Sequence, residues 1–160
     1  MIRDVNQKDS LQVVEIYNHF VDTSVVTFET DLVNADDMAN RISAVTEKYP
    51  WIVYEQDGQL LGYAYISEWK SREAYKQSAE VSIYIKQGQQ GNGIGKILMN
   101  ELLDRCNETD LHCLIAGIAL PNDASKALHE KFGFEKVAHF REVGRKFNKW
   151  IDVGYWELVL

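Results

Sequence analysis

Hydrophobic positions along this chain keep two different periods, and the sharpest change between them lies from Ala79 to Cys106. Val81, Ile83 and Ile85 alternate with Ser82 and Tyr84, the two-residue period of a strand over Glu80 to Ile85. Ile94, Leu98 and Leu102 then recur every fourth residue, and Met99, Leu103 and Cys106 widen that stripe into one face of a helix. Between strand and helix lie Gly88, Gly91, Gly93 and Gly95. A strand, a glycine loop and a helix start in that order favour an anion. Glycines let backbone N–H groups approach it, and the helix dipole attracts negative charge.

The same patterns divide the rest of the chain. Ile2 to Val5 is a short first strand. Asp9 or Ser10 caps a helix to about His19, with Val13, Ile16, Tyr17 and Phe20 on its apolar side. Val25 to Glu29 is β-branched and suits a loop or short strand. Asn34 caps a second helix over about Ala35 to Lys48, stopped by Pro50. Trp51 to Tyr54 and Leu60 to Ser67 are strands, joined by a hairpin at Asp57-Gly58. Glu68 to Ser78 has no clean period and reads as a loop. Leu114 to Leu120 is a buried strand, followed by a helix from Asn122 or Asp123 to Lys131 and a stop at Gly133. Phe134 to Val143 and Trp150 to Leu158 are the last strands, with a turn over Gly144 to Lys149. The order is βααβββαβαββ, with no internal repeat or linker.

Length and composition narrow the classes. A chain of 160 residues is one domain with a sizeable core. A net charge of −7 argues against a nucleic-acid partner, which would call for a basic face. No apolar run approaches a membrane span, and no signal-peptide pattern opens the chain. Cys106 and Cys113 fit buried thiols in a reducing, cytoplasmic setting better than a disulfide framework. No cysteine or histidine spacing points to a metal.

Two phosphate-loop patterns fail on spacing. A P-loop ending at Gly95-Lys96 needs glycine at Gln90 and a hydroxyl at Ile97. The dinucleotide fingerprint needs glycine at Lys96 or Leu98. Gln-x-x-Gly-x-Gly does fit, at Gln90, Gly93 and Gly95. It resembles the pyrophosphate loop of the GCN5-related N-acetyltransferases, the GNAT superfamily. Further segments resemble its phosphinothricin and methionine sulfoximine N-acetyltransferases: Thr27-Phe28-Glu29, the Trp69 to Tyr75 segment, Leu120 to Ser125, Leu128 to Phe134 and Lys149 to Trp156. Glu73 departs from the family, where a neutral residue is usual, and sets a carboxylate beside Arg72.

The resemblance implies an α/β (α+β) fold, a central mixed, mostly antiparallel sheet splayed between its fourth and fifth strands. It implies acetyl-coenzyme A as co-substrate, in the gap, against Ile83, Tyr84, Ile85, Gln90, Gly91, Asn92, Gly93, Ile94, Gly95, Lys96, Asn122 and Ser125. It also implies a small amine acceptor and a homodimer. Acetyl transfer needs a base for the ammonium, donors for the oxyanion and an acid for the leaving thiolate. Glu80 is the expected base, with a solvated strand-end glutamate as the bland alternative. His129 is the expected acid, with Tyr84 as a second candidate. Lys70 and Arg72 are expected to hold an acceptor carboxylate, and Phe28, Glu29, Tyr75 and Trp150 to shape its pocket, although aromatic side chains more often serve packing. A protein N-terminal or polyamine acetyltransferase and a non-enzymatic acetyl-coenzyme A-binding module are the competing readings.

Overall fold

The computed structural model describes residues 1–160 as a seven-stranded sheet with helices on both faces. The elements are β1 (Ile2–Asp4), α1 (Ser10–Thr23), α2 (Ala35–Thr46), β2 (Trp51–Gln56), β3 (Gln59–Glu68), β4 (Ser78–Ile85), α3 (Ile94–Asn107), β5 (Cys113–Ala119), α4 (Asp123–Lys131), β6 (Glu135–Lys146) and β7 (Lys149–Val159). Short 3-10 turns lie at Gln7–Asp9 and Glu73–Tyr75. The element order is the one the periods predict, and the fold is the mixed, mostly antiparallel one that the resemblance implied.

Several boundaries move. The first helix runs past His19 to Thr23, where the Ser24 N–H and hydroxyl both close on the Phe20 carbonyl. Val25 to Glu29 joins no strand ladder and is irregular. The last hairpin is tighter than expected: Phe147 and Asn148 take φ of 51° and 58° and turn the chain in two residues, leaving Gly144 inside β6. At the first hairpin, Asp57 and Gly58 take φ of 52° and 77°, the left-handed pair such a turn demands.

Strand alternation divides two cores. Trp51, Val53 and Tyr63 face α1 and α2, where Val13, Ile16, Val21 and Ile42 meet them. Ile52, Ala64, Ile66 and Val81 face the other way, onto Leu98, Met99 and Leu102 of α3. Both faces of β2 and β3 are covered, so these strands are nearly continuous apolar runs. Burial of one such leucine is worth roughly 1.5–3 kcal/mol.

Strand order is β1-β2-β3-β4-β5-β7-β6, and every pair is antiparallel except β4 with β5. That parallel pair is brief: Ser78, Ala79 and Glu80 oppose Cys113, Leu114 and Ile115, and the ladder stops there. Beyond Glu80 the two strands part. The sheet therefore opens a V at its centre, with one arm continued by β3 and the other by β7.

Candidate active site

The split exposes backbone. Lys86 N–H donates to the Leu61 carbonyl on β3. Alternation then turns the N–H groups of Ile83 and Ile85 the other way, into the gap. On the opposite arm, Leu120 N–H donates to Asp152 on the β7 side. The N–H groups of Gly117 and Ala119 therefore face the gap as well.

One mouth of the gap is the glycine loop. Gly88, Gly91 and Gly93 each take φ of +82°, which side-chain-bearing residues resist. Gln90 folds back so that its Oε1 accepts from Gly88 N–H at 2.8 Å. Gly93 is the N-cap of α3 and offers no side-chain cap. The Lys96 N–H donates to the Gly93 carbonyl at 3.1 Å, and those of Ile94 and Gly95 are left for an anion. A groove of about 620 Å³ passes this loop, lined by Ile83, Ile85, Gln90, Gly93, Lys96 and Asn122, among others. Gly91, Ile94, Gly95 and Ser125 are on its wall too. Asn92 is not; its amide faces Gln89 at 3.4 Å. Lys131 stands across from Lys96, which holds its pKa below the ordinary lysine range. Two ammoniums facing each other in a groove suit a phosphate-bearing ligand. The sequence reading missed Lys131, because the end of α4 comes beside the start of α3 only in the folded sheet.

The second cavity, of about 500 Å³, lies on the α1–α2 side of the split and joins the groove at Val26, Ile83, Asn122 and Ser125. Glu80, Tyr84, His129 and Phe28 all line it. Glu80 has no hydrogen-bond or salt-bridge partner among the side chains, and burial alone raises its carboxyl pKa. A solvated strand-end carboxylate would carry no such shift.

His129 is 3% exposed. Its Nδ1 lies 2.7 Å from the Ser125 carbonyl, which only accepts, so Nδ1 carries the hydrogen. Its Nε2 is buried without a partner, and desolvation pulls its pKa down, against the pull of the Ser125 carbonyl. This is a neutral ring with a lone pair at Nε2, not an imidazolium. Tyr84 packs edge-on against Tyr17 at 5.4 Å and beside Phe20 and Tyr63. Burial, then neighbouring tyrosines and carboxylates, raises its hydroxyl pKa well above the ordinary value. Asn122 caps α4 by accepting from Ser125 N–H at 3.1 Å, and this turn fixes the cavity wall.

The expected acceptor residues do not come together around this cavity. Phe28 does line it. Glu29 is engaged elsewhere: Arg41 grips its carboxylate at 2.6 and 2.7 Å, and the Tyr17 hydroxyl donates to it. Lys70 and Arg72 line a separate polar cavity of about 310 Å³ with Lys48, Tyr49 and Asp110. The reason is local: the turn at Glu73–Tyr75 comes before β4 and leaves this segment beside Lys48, Tyr49 and Asp110, while the cavity is lined by β4 from Glu80 to Tyr84. Tyr75 stands beside Lys70, and Trp150 is exposed beside Arg145 on β7. Glu73 pairs with Lys76 at 2.8 Å and leaves Arg72 alone. In their place the cavity uses Tyr65 and Ser67 of β3, Val143 of β6 and Tyr155 of β7. Trp69 lies outside it and packs against the lining residue Tyr155 at 5.7 Å. No single motif marks these residues, since they come from three strands far apart in the chain.

An anion groove running into a cavity that holds a proton acceptor is the layout of an enzyme moving a group from a phosphate-bearing carrier to a second substrate. The chain belongs to the GNAT acetyltransferases: the model of the acetyltransferase (GNAT) domain matches residues 2–154. It is similar to the phosphinothricin N-acetyltransferase of Streptomyces viridochromogenes, 34% identical over 98% of this chain and 85% of the relative. It is also 32% identical to the methionine sulfoximine/methionine sulfone acetyltransferase of Salmonella typhimurium, over 99% and 94% of the two chains. A phosphinothricin acetyltransferase from Sinorhizobium meliloti, solved with acetyl-coenzyme A, superposes with a TM-score of 0.96 at 34% identity. That match covers 100% of this chain and 88% of the other. The chain is therefore an N-acetyltransferase using acetyl-coenzyme A. No cluster of three His, Cys, Asp or Glu side chains is placed to hold a metal. No helix is long and apolar enough to cross a membrane.

Proposed function

We propose that this enzyme acetylates the α-amine of a small amino-acid-like acceptor, of the phosphinothricin or methionine sulfoximine type, by direct attack in a ternary complex. The observation that carries the reading is Glu80: a half-buried carboxylate without a cation, on the wall of a cavity continuous with the cofactor groove. Bound acetyl-coenzyme A supplies the acetyl thioester. Glu80 takes the proton from the acceptor ammonium, directly or through one water. The N–H groups of Ile83 and Ile85 steady the oxyanion and the pantetheine arm, a contribution of roughly 3–4 kcal/mol for one good donor. Tyr84 returns a proton to the thiolate. Its hydroxyl keeps its hydrogen at neutral pH, whereas the His129 Nε2 has none to give. Cys106 is no nucleophile: it is buried on α3, and desolvation pushes its thiol up to about 11.

No lysine or arginine lines the cavity. An acceptor carboxylate therefore calls for a cation at the rim, and Lys70 and Arg72 follow Trp69, which packs against the lining residue Tyr155. We propose Arg72 as the clamp, a planar fork that lysine does not reproduce. The homodimer implied by the family resemblance would cover Phe140, Val143, Phe147 and Trp150, each more than half exposed on the β6–β7 hairpin. Sedimentation of wild type and Trp150→Glu tests that assembly; a wild-type monomer rules it out.

The deciding experiment is an acetylation screen over amino acids, their sulfone, sulfoximine and phosphinate analogues, decarboxylated amines, polyamines and N-terminal peptides. Amino-acid-like acceptors are expected to dominate. Equal rates on decarboxylated amines, or faster rates on polyamines or peptides, would overturn the reading. Arg72→Lys is expected to raise the acceptor KM and to leave that for acetyl-coenzyme A unchanged.

A further inference from the structure

Lys146 is 4% exposed and takes no part in the chemistry above. It stands at the end of β6, and its ammonium crosses to the irregular segment between α1 and α2. Nζ donates to the Thr27 carbonyl at 2.9 Å and lies 3.5 Å from the Phe20 carbonyl. Phe20 belongs to the last turn of α1, where the helix dipole favours a cation. Burial pulls the lysine pKa down, and Asp22 and Glu29 oppose it. A buried charge is costly unless partnered, and here its partners are backbone carbonyls of the end of α1 and of the segment that follows it.

Gly144 forms the other half of the same seat. A Cβ added there would lie 2.4 Å from the Phe28 ring, so the ring rests directly on the glycine. The two-residue period sets Gly144 and Lys146 on one face of β6. Val26, Thr27 and Phe28 line the cavity that holds Glu80. Their segment has no strand ladder of its own. Thr27 is tied down by its hydroxyl, 2.8 Å from that of Tyr17, and by the Lys146 ammonium.

We propose that Lys146 and Gly144 are positioning residues for the acceptor. They hold Val26 to Phe28 as the outer wall of its cavity, the lysine by fixing the Thr27 carbonyl and the glycine by giving the Phe28 ring room. This rests on the reading of that cavity as the acceptor site. Neither residue touches reacting atoms, so their loss changes how the acceptor is held and not how it reacts.

The test compares Lys146→Met, Lys146→Arg and Gly144→Ala with wild type, each first checked for a cooperative melt. Lys146→Met is expected to raise the acceptor KM roughly tenfold or more, the worth of one charge-assisted hydrogen bond, with kcat at saturation and the acetyl-coenzyme A KM little changed. Lys146→Arg restores most of the loss. Gly144→Ala raises the acceptor KM and shifts selectivity among acceptors of different bulk. Amide hydrogen exchange, which needs no acceptor, is expected to quicken in Lys146→Met across residues 24–31 and to stay unchanged in α3. Unchanged exchange there in a folded Lys146→Met protein overturns the proposal. If that variant does not fold, an unchanged acceptor KM in Gly144→Ala overturns it instead. A wild type that acetylates none of the amino-acid-like acceptors defeats the acceptor reading, and exchange alone then decides the role of Lys146.

Discussion

The groove and the cavity meet at four residues and are built on opposite principles. The groove recognises its ligand with main chain: uncapped N–H groups at the start of α3 and strand N–H groups turned into the split. Its determinants are nearly consecutive, from Gln89 to Lys96. The cavity is built from side chains on five strands, α4 and the α1–α2 connection. A shared carrier can be held by a fixed geometry of backbone, whereas an acceptor is told from its analogues by side chains that differ in size and charge. Glu29 and Glu80 show a second contrast, between two carboxylates. Glu29 is paired with Arg41, which holds its pKa below the ordinary range, and it serves structure. Glu80 is unpaired and raised, and it is free to move a proton.

The largest expected effect breaks the cavity alone. Glu80→Gln is expected to lower turnover by about 10²–10⁴-fold at neutral pH and to leave acetyl-coenzyme A affinity intact. The acid limb of wild-type kcat/KM is expected above the ordinary glutamate range and should vanish in the variant. Near-wild-type turnover at neutral pH would remove Glu80 from the mechanism. Stability moves the other way. Burial raises the folded pKa, so the stability linked to the proton is present at low pH and is lost as pH rises through the raised value. Glu80→Gln should therefore melt higher than wild type at neutral pH, the gap closing in acid.

Next comes a break in the groove alone. Gly93→Asp puts a side chain at φ +82° and a negative charge where an anion must approach. Calorimetry should show acetyl-coenzyme A affinity down by at least about 100-fold, the scale of two lost anion contacts, in a protein that still folds. Undiminished affinity would place the pyrophosphate elsewhere.

The acid is a finer division inside the cavity. Tyr84→Phe is expected to slow turnover about 10-fold or more and to flatten the alkaline limb. His129→Gln should have the smaller effect on rate, because the neutral ring donates only to Ser125. The reverse ranking would return the acid role to His129.

The smallest effect should fall on the seam. Asn122→Ala removes the α4 cap, costing about 1 kcal/mol, and loosens a residue that lines both sites. A modest rise in both KM values should accompany the lower melting temperature. A rise in only one would assign Asn122 to that side.

How much of this was legible in the chain depended on distance along it. The strand, glycine loop and helix from Glu80 to Cys106 were readable because period, turn residues and anion geometry all act within a few residues. So were Asn34 and Asn122 as caps, which accept from Asp37 and Ser125 three residues on. The segment at Lys70 and Arg72 carried a strong resemblance, yet its placement turned on where β4 begins. Pairing of Ser78 and Ala79 with β5 sets that start, and no local pattern announces it.

The sequence by itself determined the order of elements, the anion loop and the presence of a carboxylate at the head of a strand, since these follow from periods and local backbone preferences. Only the tertiary structure decided that β4 and β5 part after three residue pairs, that Lys131 comes to face Lys96, and that Gly144 and Lys146 seat a segment well over a hundred residues earlier in the chain. Those outcomes depend on which surfaces meet once two cores close on one sheet. Contact of that kind is set by packing across the fold, and local chain preferences are blind to it.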